Sequence, residues 1–419
     1  MYKRQTYTTA GTYTVTITGK EFPGITQEYW PNATKLKTIE AWGSNEWSQM
    51  TSAFSGCADL VINATDAPIF ADEVSSWGVF YGATNFNSDI GHWDVSNLTA
   101  LTAMFRDTAF NQDISAWDVS NVTDMTRTFN NTPFNQDISS WSTSNVKSLN
   151  NTFYGAREFN QDISAWDVSS VVDMQATFRA ALAFNQDISA WNVSGAEIMS
   201  NMFRGANAFN QDISGWDVSN VLNMSEMFRG DLTTFNQDLS AWDVSNVTSM
   251  AYMFTNSPVF NQDLSAWDTS SVISIQGMFQ NAKAFNGVVN TWDISNVTSL
   301  STMFEGSPFN QDISSWDVSN VTDMSYMFKN ATAFNQDIGS WDTGNVTRFP
   351  GMFEKASVFN QDISNWNTSN VTALPWMFKN ASAFDQDLSS WDVGNVTSCT
   401  DFSKNVSGSN FVAPALSGC

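Results

Sequence analysis

The chain has 419 residues, a formal net charge of −24, 18 Lys plus Arg and a single histidine, His92. So few cations exclude nucleic acid and anionic membrane as partners, since both need clustered basic residues. Aromatics at 14% exclude a disordered acidic tail, and no apolar run approaches the roughly 20 residues of a membrane span.

Residues 1–5, Met-Tyr-Lys-Arg-Gln, read as an assembly scar on a truncated metagenomic gene, because a transposase adapter used in sequencing libraries encodes that string. Residues 6–34 read as an N-terminal strand and cap. Within them Tyr13, Val15 and Ile17 alternate with threonines, a strand signal. Two degenerate repeats follow from residue 35. Ile39, Trp42, Met50 and Phe54 set the frame of the first, and Ile62, Trp77 and Phe80 that of the second. Then come thirteen near-copies of F-N-Q-D-I-S-x-W-D-V-S-N-V-T-x-M-x-x-M-F, with tryptophans 24–26 residues apart from Trp93 to Trp391. A fixed period of this length marks a solenoid whose coils bury their apolar faces on one another. Residues 35–405 are thus assigned to about fifteen coils, and 406–419 to a C-terminal cap or truncated linker. Cys57 and Cys399 stand at core positions and read as small buried residues; a Cys399–Cys419 staple is the alternative.

The copy from Phe309 to Phe328 predicts one repeat. Ile313, Trp316, Val318 and Val321 have the I-x-x-W-x-V-x-x-V outline of a leucine-rich unit. Trp316-Asp317-Val318 is predicted as a short parallel strand with Asp317 outward. Val321, Met324, Met327 and Phe328 lie at i, i+3, i+6 and i+7, which predicts a two-turn helix with Ser319 or Thr322 at its start. The expected class is an α/β repeat: a leucine-rich-repeat-like solenoid, one short parallel strand and one short helix per turn, on the order of 60 Å long at the strand spacing.

The motif resembles the bacterial surface-protein repeat of about 25 residues grouped with BspA-like leucine-rich repeats and with repeats of mycoplasma lipoprotein-associated proteins. G-T-Y-T-V-T-I-T-G near the N-terminus resembles the last strand of a PKD-like sandwich. The first resemblance implies an extracellular or cell-surface protein used for adhesion, and it supplies no catalytic residues.

Two aspartate columns make the chain acidic. One follows Asn-Gln, from Asp89 to Asp387. It reads, with its asparagines, as a set of partners for backbone groups at a bend. The other follows Trp: Asp94, Asp118, Asp167, Asp217, Asp243, Asp268, Asp293, Asp317, Asp342 and Asp392. These are predicted to face solvent on the strand face, where they engage a cationic partner or, alternatively, Ca²⁺. Ser142, Asn192 and Asn367 replace the second aspartate, and Phe285-Asn286-Gly287-Val288 lacks the Gln and Asp; these coils are expected to be less regular. The asparagines of N-V-T read as turn formers rather than glycosylation sites. Specificity is expected where copies differ: the turns at Arg106, Tyr154, Arg204, Lys329 and Lys379, and the variable-edge residues Tyr252, Tyr326 and Trp376.

No nucleophile motif, phosphate loop or metal-ligand cluster appears, so the chain is read as non-catalytic and without a cofactor. The expected role is an extended face that binds protein or glycan on another surface. A structural spacer is the alternative, and a Ca²⁺-dependent adhesion module the third reading.

Overall fold

The computed structural model describes residues 9, 11–14, 16, 21–22, 35–230 and 232–416. Val15 and Ile17 of the predicted N-terminal strand lie outside them, as does Cys419. Among the described residues of that segment none is in a strand, and the Tyr13 hydroxyl donates to the Thr9 carbonyl at 2.7 Å.

Five short strands open the chain: β1 (Glu21–Phe22), β2 (Thr38–Ile39), β3 (Glu46–Gln49), β4 (Val61–Ile62) and β5 (Ile69–Ser75). All pairing is parallel, in the orders β1-β3-β5 and β2-β4. From β5 onward the ladder continues as single parallel bridges at one-coil offsets, interrupted between Ser274 and Ser299. It runs from Val74↔Leu98 through Asp124↔Ser148 and Asp323↔Arg348 to Ala373↔Ser398. Parallel pairing at one-repeat offsets is the signature of a solenoid.

The predicted helix is absent from the described residues, and Met324–Ala331 shows why. Every second N–H there points along the solenoid to the next coil. Met324 donates to Arg348 O, Tyr326 to Pro350 O, Phe328 to Met352 O and Asn330 to Glu354 O, at 2.8–3.1 Å. The intervening groups close tight turns, with Met327 N–H on Met324 O and Ala331 N–H on Phe328 O. Such alternation needs left-handed residues, and two occur in every coil, four apart: Ser52 and Gly56 in the first, Tyr326 and Asn330 in the twelfth, Asp401 and Asn405 in the fifteenth. An α-helix satisfies its own backbone and tolerates no positive φ. Here the coils satisfy one another. The i, i+3, i+4 spacing of Met324, Met327 and Phe328 still buries all three, because a ribbon of tight turns brings those positions to one side just as a helix does.

The predicted strand at Trp316-Asp317-Val318 is also replaced. That segment lies between two turns, closed by Trp316 N–H on Ile313 O and Val321 N–H on Val318 O. Side chains join it to the preceding coil. The Trp316 indole N–H donates to Val289 O at 3.1 Å, and Asn320 Nδ2 donates to Ser295 O at 2.7 Å. Every tryptophan of the column from Trp117 to Trp391 repeats the indole bond. Trp93, at the irregular end, buries its indole N–H with no acceptor among the described residues.

The core is a stack of like on like. In each coil from Phe80/Phe86 to Phe378/Phe384 the two phenylalanines lie face to face, as Phe328 and Phe334 do at 3.8 Å, and these two meet Phe353 and Phe359 in the next coil. Trp77 does not belong to the tryptophan column: it is 45% exposed beside Tyr81, and Phe70 packs against Trp93 instead. Cys57 and Cys399 are buried, and Cys399 is disulfide-bonded.

Two asparagine ladders complete the frame. Asn310 Oδ1 accepts the N–H of Asn335 at 2.9 Å, and Gln336 Nε2 donates to both Asn310 oxygens at 3.0 Å. Asn286, in the coil that lacks Gln and Asp, keeps this register, receiving from Asn310 N–H at 2.8 Å. Asn310→Ala removes the acceptor of the Asn335 N–H and one of the two acceptors of the Gln336 amide, so urea unfolding is expected to show a loss of about 1 kcal/mol. An unchanged midpoint would assign the ladder no energetic role.

Candidate binding face

The aspartates after tryptophan, Asp94 to Asp392, are all exposed. They sit on turns rather than on a strand. In each, Oδ1 accepts the N–H of the residue two positions on, as Asp317 does from Ser319 at 3.0 Å and Asp392 from Gly394 at 3.0 Å. The serine hydroxyl and backbone N–H hold Asp118, Asp167, Asp217, Asp268 and Asp317 below the ordinary aspartate range. Asn192 and Asn367 make the same bond, at 3.2 Å to Ser194 and Ser369, so those coils keep the turn. What makes this bond is an acceptor oxygen, not a charge, and the coil with Ser142 keeps its turn through Val146 N–H on Thr143 O.

The Asn-Gln-Asp column behaves alike. Asp113, Asp137, Asp162 and Asp238 accept backbone N–H groups within their own coil, the leading cause of their lowered pKa. Neighbouring aspartates oppose this at Asp162 without reversing it. Among the described residues no three acidic, histidine or cysteine side chains converge on one point, whereas Ca²⁺ asks for six to eight oxygens. His92 is exposed, with Nε2 3.4 Å from the Asp66 carbonyl.

The opposite character appears along the hydrogen-bonded ladder. Its residues are held by backbone bonds, so their side chains are free to vary. The threonine position of N-V-T becomes Lys147, Val172, Glu197, Leu222, Thr248 and Ile273 in successive coils, each from Val172 on bonded through its N–H to the one before. Val172, Leu222 and Ile273 are 39%, 45% and 56% exposed. In the same stretch Ser170, Gly195 and Ser271 break the N-V-T asparagine column. A shallow depression of about 500 Å³ opens there, lined by Gly195, Glu197, Asn220, Leu222 and Asn246.

Four residues further on lies the first left-handed position of each coil, and Tyr252, Tyr326 and Trp376 all occupy it, with φ of 58°, 59° and 58°. All three are half-buried. Bulky residues at positive φ are strained, by about 1–2 kcal/mol each. The Tyr252 ring lies over Gly277 and the Tyr326 ring over Gly351, where any Cβ would collide with them. Three residues beyond runs a column of tyrosines and charges of both signs: Tyr81, Arg106, Tyr154, Arg179, Arg204, Arg229, Glu305, Lys329, Glu354 and Lys379. Arg106 stacks on Tyr81 at 4.8 Å, and Lys329 lies over Tyr326 at 4.9 Å between Glu305 and Glu354. The structure therefore places the predicted edge residues on one strip, and the predicted aspartates on a separate, uniform one. Sequence reading singled out Arg204 but not Arg179 or Arg229 beside it, nor Val172, Leu222 or Ile273. The signal was present in their departure from the repeat at one position.

Four overlapping segments, 48–147, 129–233, 212–308 and 305–412, match the repeat family described as "Mycoplasma protein of unknown function, DUF285". No curated protein matches the chain. Among solved structures, a leucine-rich repeat protein from Eubacterium ventriosum aligns over 91% of both chains at 12% identity and a TM-score of 0.37. A TLR13–ssRNA13 complex aligns over 84% of this chain and 64% of that one, at 10% identity and 0.22. The plant peptide hormone receptor RGFR1 in complex with RGF2 aligns over 86% and 64%, at 8% and 0.17.

Two outcomes follow for the aspartates. Groups with lowered pKa stabilise the fold above the ordinary value of 3.8, and that contribution disappears as pH falls through their lower folded values. The thermal midpoint is thus expected to be flat from neutral pH down to about 5 and to fall below about 4. Millimolar Ca²⁺ in place of EDTA is expected to leave the midpoint unmoved. A rise of several degrees would put ions between the coils.

Proposed function

The chain belongs to the DUF285 family, and we propose that it is a non-catalytic extracellular or cell-surface protein whose variable ladder face binds protein or glycan on another surface. One observation carries this reading. Copies that agree closely around the Asn-Gln-Asp and Trp-Asp turns diverge along one strip, and that strip holds the strained aromatics and the exposed aliphatics. A spacer needs no such concentration: drift without selection for contact would scatter over every exposed position. Strain persisting at Tyr252, Tyr326 and Trp376 supports the same reading, since the same position takes Asn151 and Asn201 at no such cost. Tyrosine and tryptophan are enriched among the residues that anchor protein interfaces. Among the described residues no helix is long and apolar enough to cross a membrane.

The test is adhesion of beads coated with the chain to immobilised glycans and extracellular proteins. Tyr252→Asn/Tyr326→Asn/Trp376→Asn is expected to abolish adhesion while keeping or raising the thermal midpoint, because asparagine suits positive φ. Asp118→Asn/Asp217→Asn/Asp317→Asn is expected to adhere like the parent. If only the aspartate set loses adhesion, the binding face is the other one. If the parent adheres to nothing, the spacer reading replaces this one.

A further inference from the structure

Arg179, Arg204 and Arg229 occupy one position in three consecutive coils. The backbone fixes this: Gly155 N–H donates to Arg179 O, Ala180 N–H to Arg204 O and Gly205 N–H to Arg229 O, at 2.8–2.9 Å. The three side chains therefore start about 4.8 Å apart, a spacing at which like charges repel. Among the described residues the carboxylate paired with the cluster is Glu226, whose Oε2 accepts from Arg204 and, at 2.9 Å, from Arg229. Arg204 also donates to Asn201 Oδ1 at 3.3 Å. Arg179 has no carboxylate within ion-pair distance among those residues; its guanidinium lies over the Tyr154 ring at 5.1 Å. Arg229 lies over Tyr252 at 5.3 Å. Asp231, next in sequence beyond Gly230, lies outside the described residues. Partial burial and the two flanking arginines hold the Arg204 guanidinium below its usual range against the pull of Glu226.

Three guanidiniums against one carboxylate among the described residues, in a chain of net charge −24, is a concentration of positive charge that the fold does not require. The same position accepts Thr255, Gln280 and Asn130 elsewhere. The outer two guanidiniums are steadied by tyrosine faces, and each arginine has five N–H donors, most of them unused. Such forks match tetrahedral or planar oxyanions in two-pronged geometry. We propose that Arg179, Arg204 and Arg229 form a binding site for one compact oxyanion group, a sulfate, phosphate or carboxylate carried by the ligand of the variable face. The proposal deepens the binding reading above, since Tyr252 belongs to both. A long polyanion is disfavoured: beyond a screening length of about 8 Å it would meet the carboxylates that dominate the rest of the surface.

Equilibrium dialysis with radiolabelled inorganic sulfate at fixed ionic strength tests the site. The parent chain is expected to bind one sulfate per chain, saturably. Arg179→Gln/Arg204→Gln, with residues the position already accepts, is expected to weaken binding at least tenfold, about the loss of one charged two-pronged contact. Glu226→Asn removes the competing carboxylate and is expected to tighten it several-fold. Competition by unlabelled phosphate against acetate distinguishes a tetrahedral from a carboxylate ligand. Equal sulfate uptake by parent and Arg179→Gln/Arg204→Gln overturns the proposal, as does weaker binding by Glu226→Asn with an unchanged thermal midpoint. Neither result touches the adhesion assay, in which loss on replacing Tyr252, Tyr326 and Trp376 stands independently of sulfate.

Discussion

Everything in this solenoid depends on backbone hydrogen bonds that run along its axis. Each coil hands N–H groups to the carbonyls of the next, from Met50 on Ser75 to Phe378 on Phe402. Because every second residue of the ladder must point its N–H the same way, the chain between them has to reverse quickly, and left-handed residues do that. The consequence is a coil that is incomplete alone. Its N–H groups and its phenylalanine faces are satisfied only by a neighbour, so stability grows with the number of stacked coils and fails at the ends. The ends show it: Trp93 has an indole N–H without acceptor among the described residues, and the first coils add true strands where the repeat is degenerate.

The architecture was legible because identical residues at a fixed period must stack. Trp, Phe, Met and Val columns are buried where their spacing put them. The local conformation was not legible from apolar spacing, since a helix and a ribbon of tight turns bury i, i+3 and i+4 equally. Other residues did carry the distinction. Phe349-Pro350-Gly351-Met352 places Pro and Gly at the middle of a turn with positive φ at Gly351, closed by Met352 N–H on Phe349 O, the type II signature. Asn131, Asn256, Asn281, Asn330 and Asn380 recur at the second left-handed position, a preference no helix interior shows. The strand assigned to Trp-Asp-Val failed for a related reason: alternation over three residues cannot tell a strand from an extended link between turns. Trp77 was misplaced because in a degenerate coil Phe70 takes the core position.

The acidity of the chain is a by-product of its turns. Each coil needs acceptors at two bends, aspartate supplies them, and repetition multiplies the charge. Asparagine serves equally well at 192 and 367, which separates the structural need from the charge that accompanies it. The most conspicuous feature of the sequence is therefore weak evidence about a ligand.

Function is more informative where the frame is indifferent to the side chain. Ladder residues are held by their own backbone, so substitution there leaves the coil intact and is limited chiefly by what the surface must do. Tyr252, Tyr326 and Trp376 go further: they sit where glycine or asparagine suits the backbone, and their retention costs the fold stability. A residue that weakens its own coil is better explained by what it contacts outside than by what it holds inside, and at Tyr252 and Tyr326 the next coil has glycine beneath the ring. The arginine run is the electrostatic counterpart, three like charges kept adjacent in a frame that accepts neutral residues at the same position. Strain and repulsion meet at Tyr252, which is itself left-handed and whose ring lies beneath the Arg229 guanidinium of the coil before it.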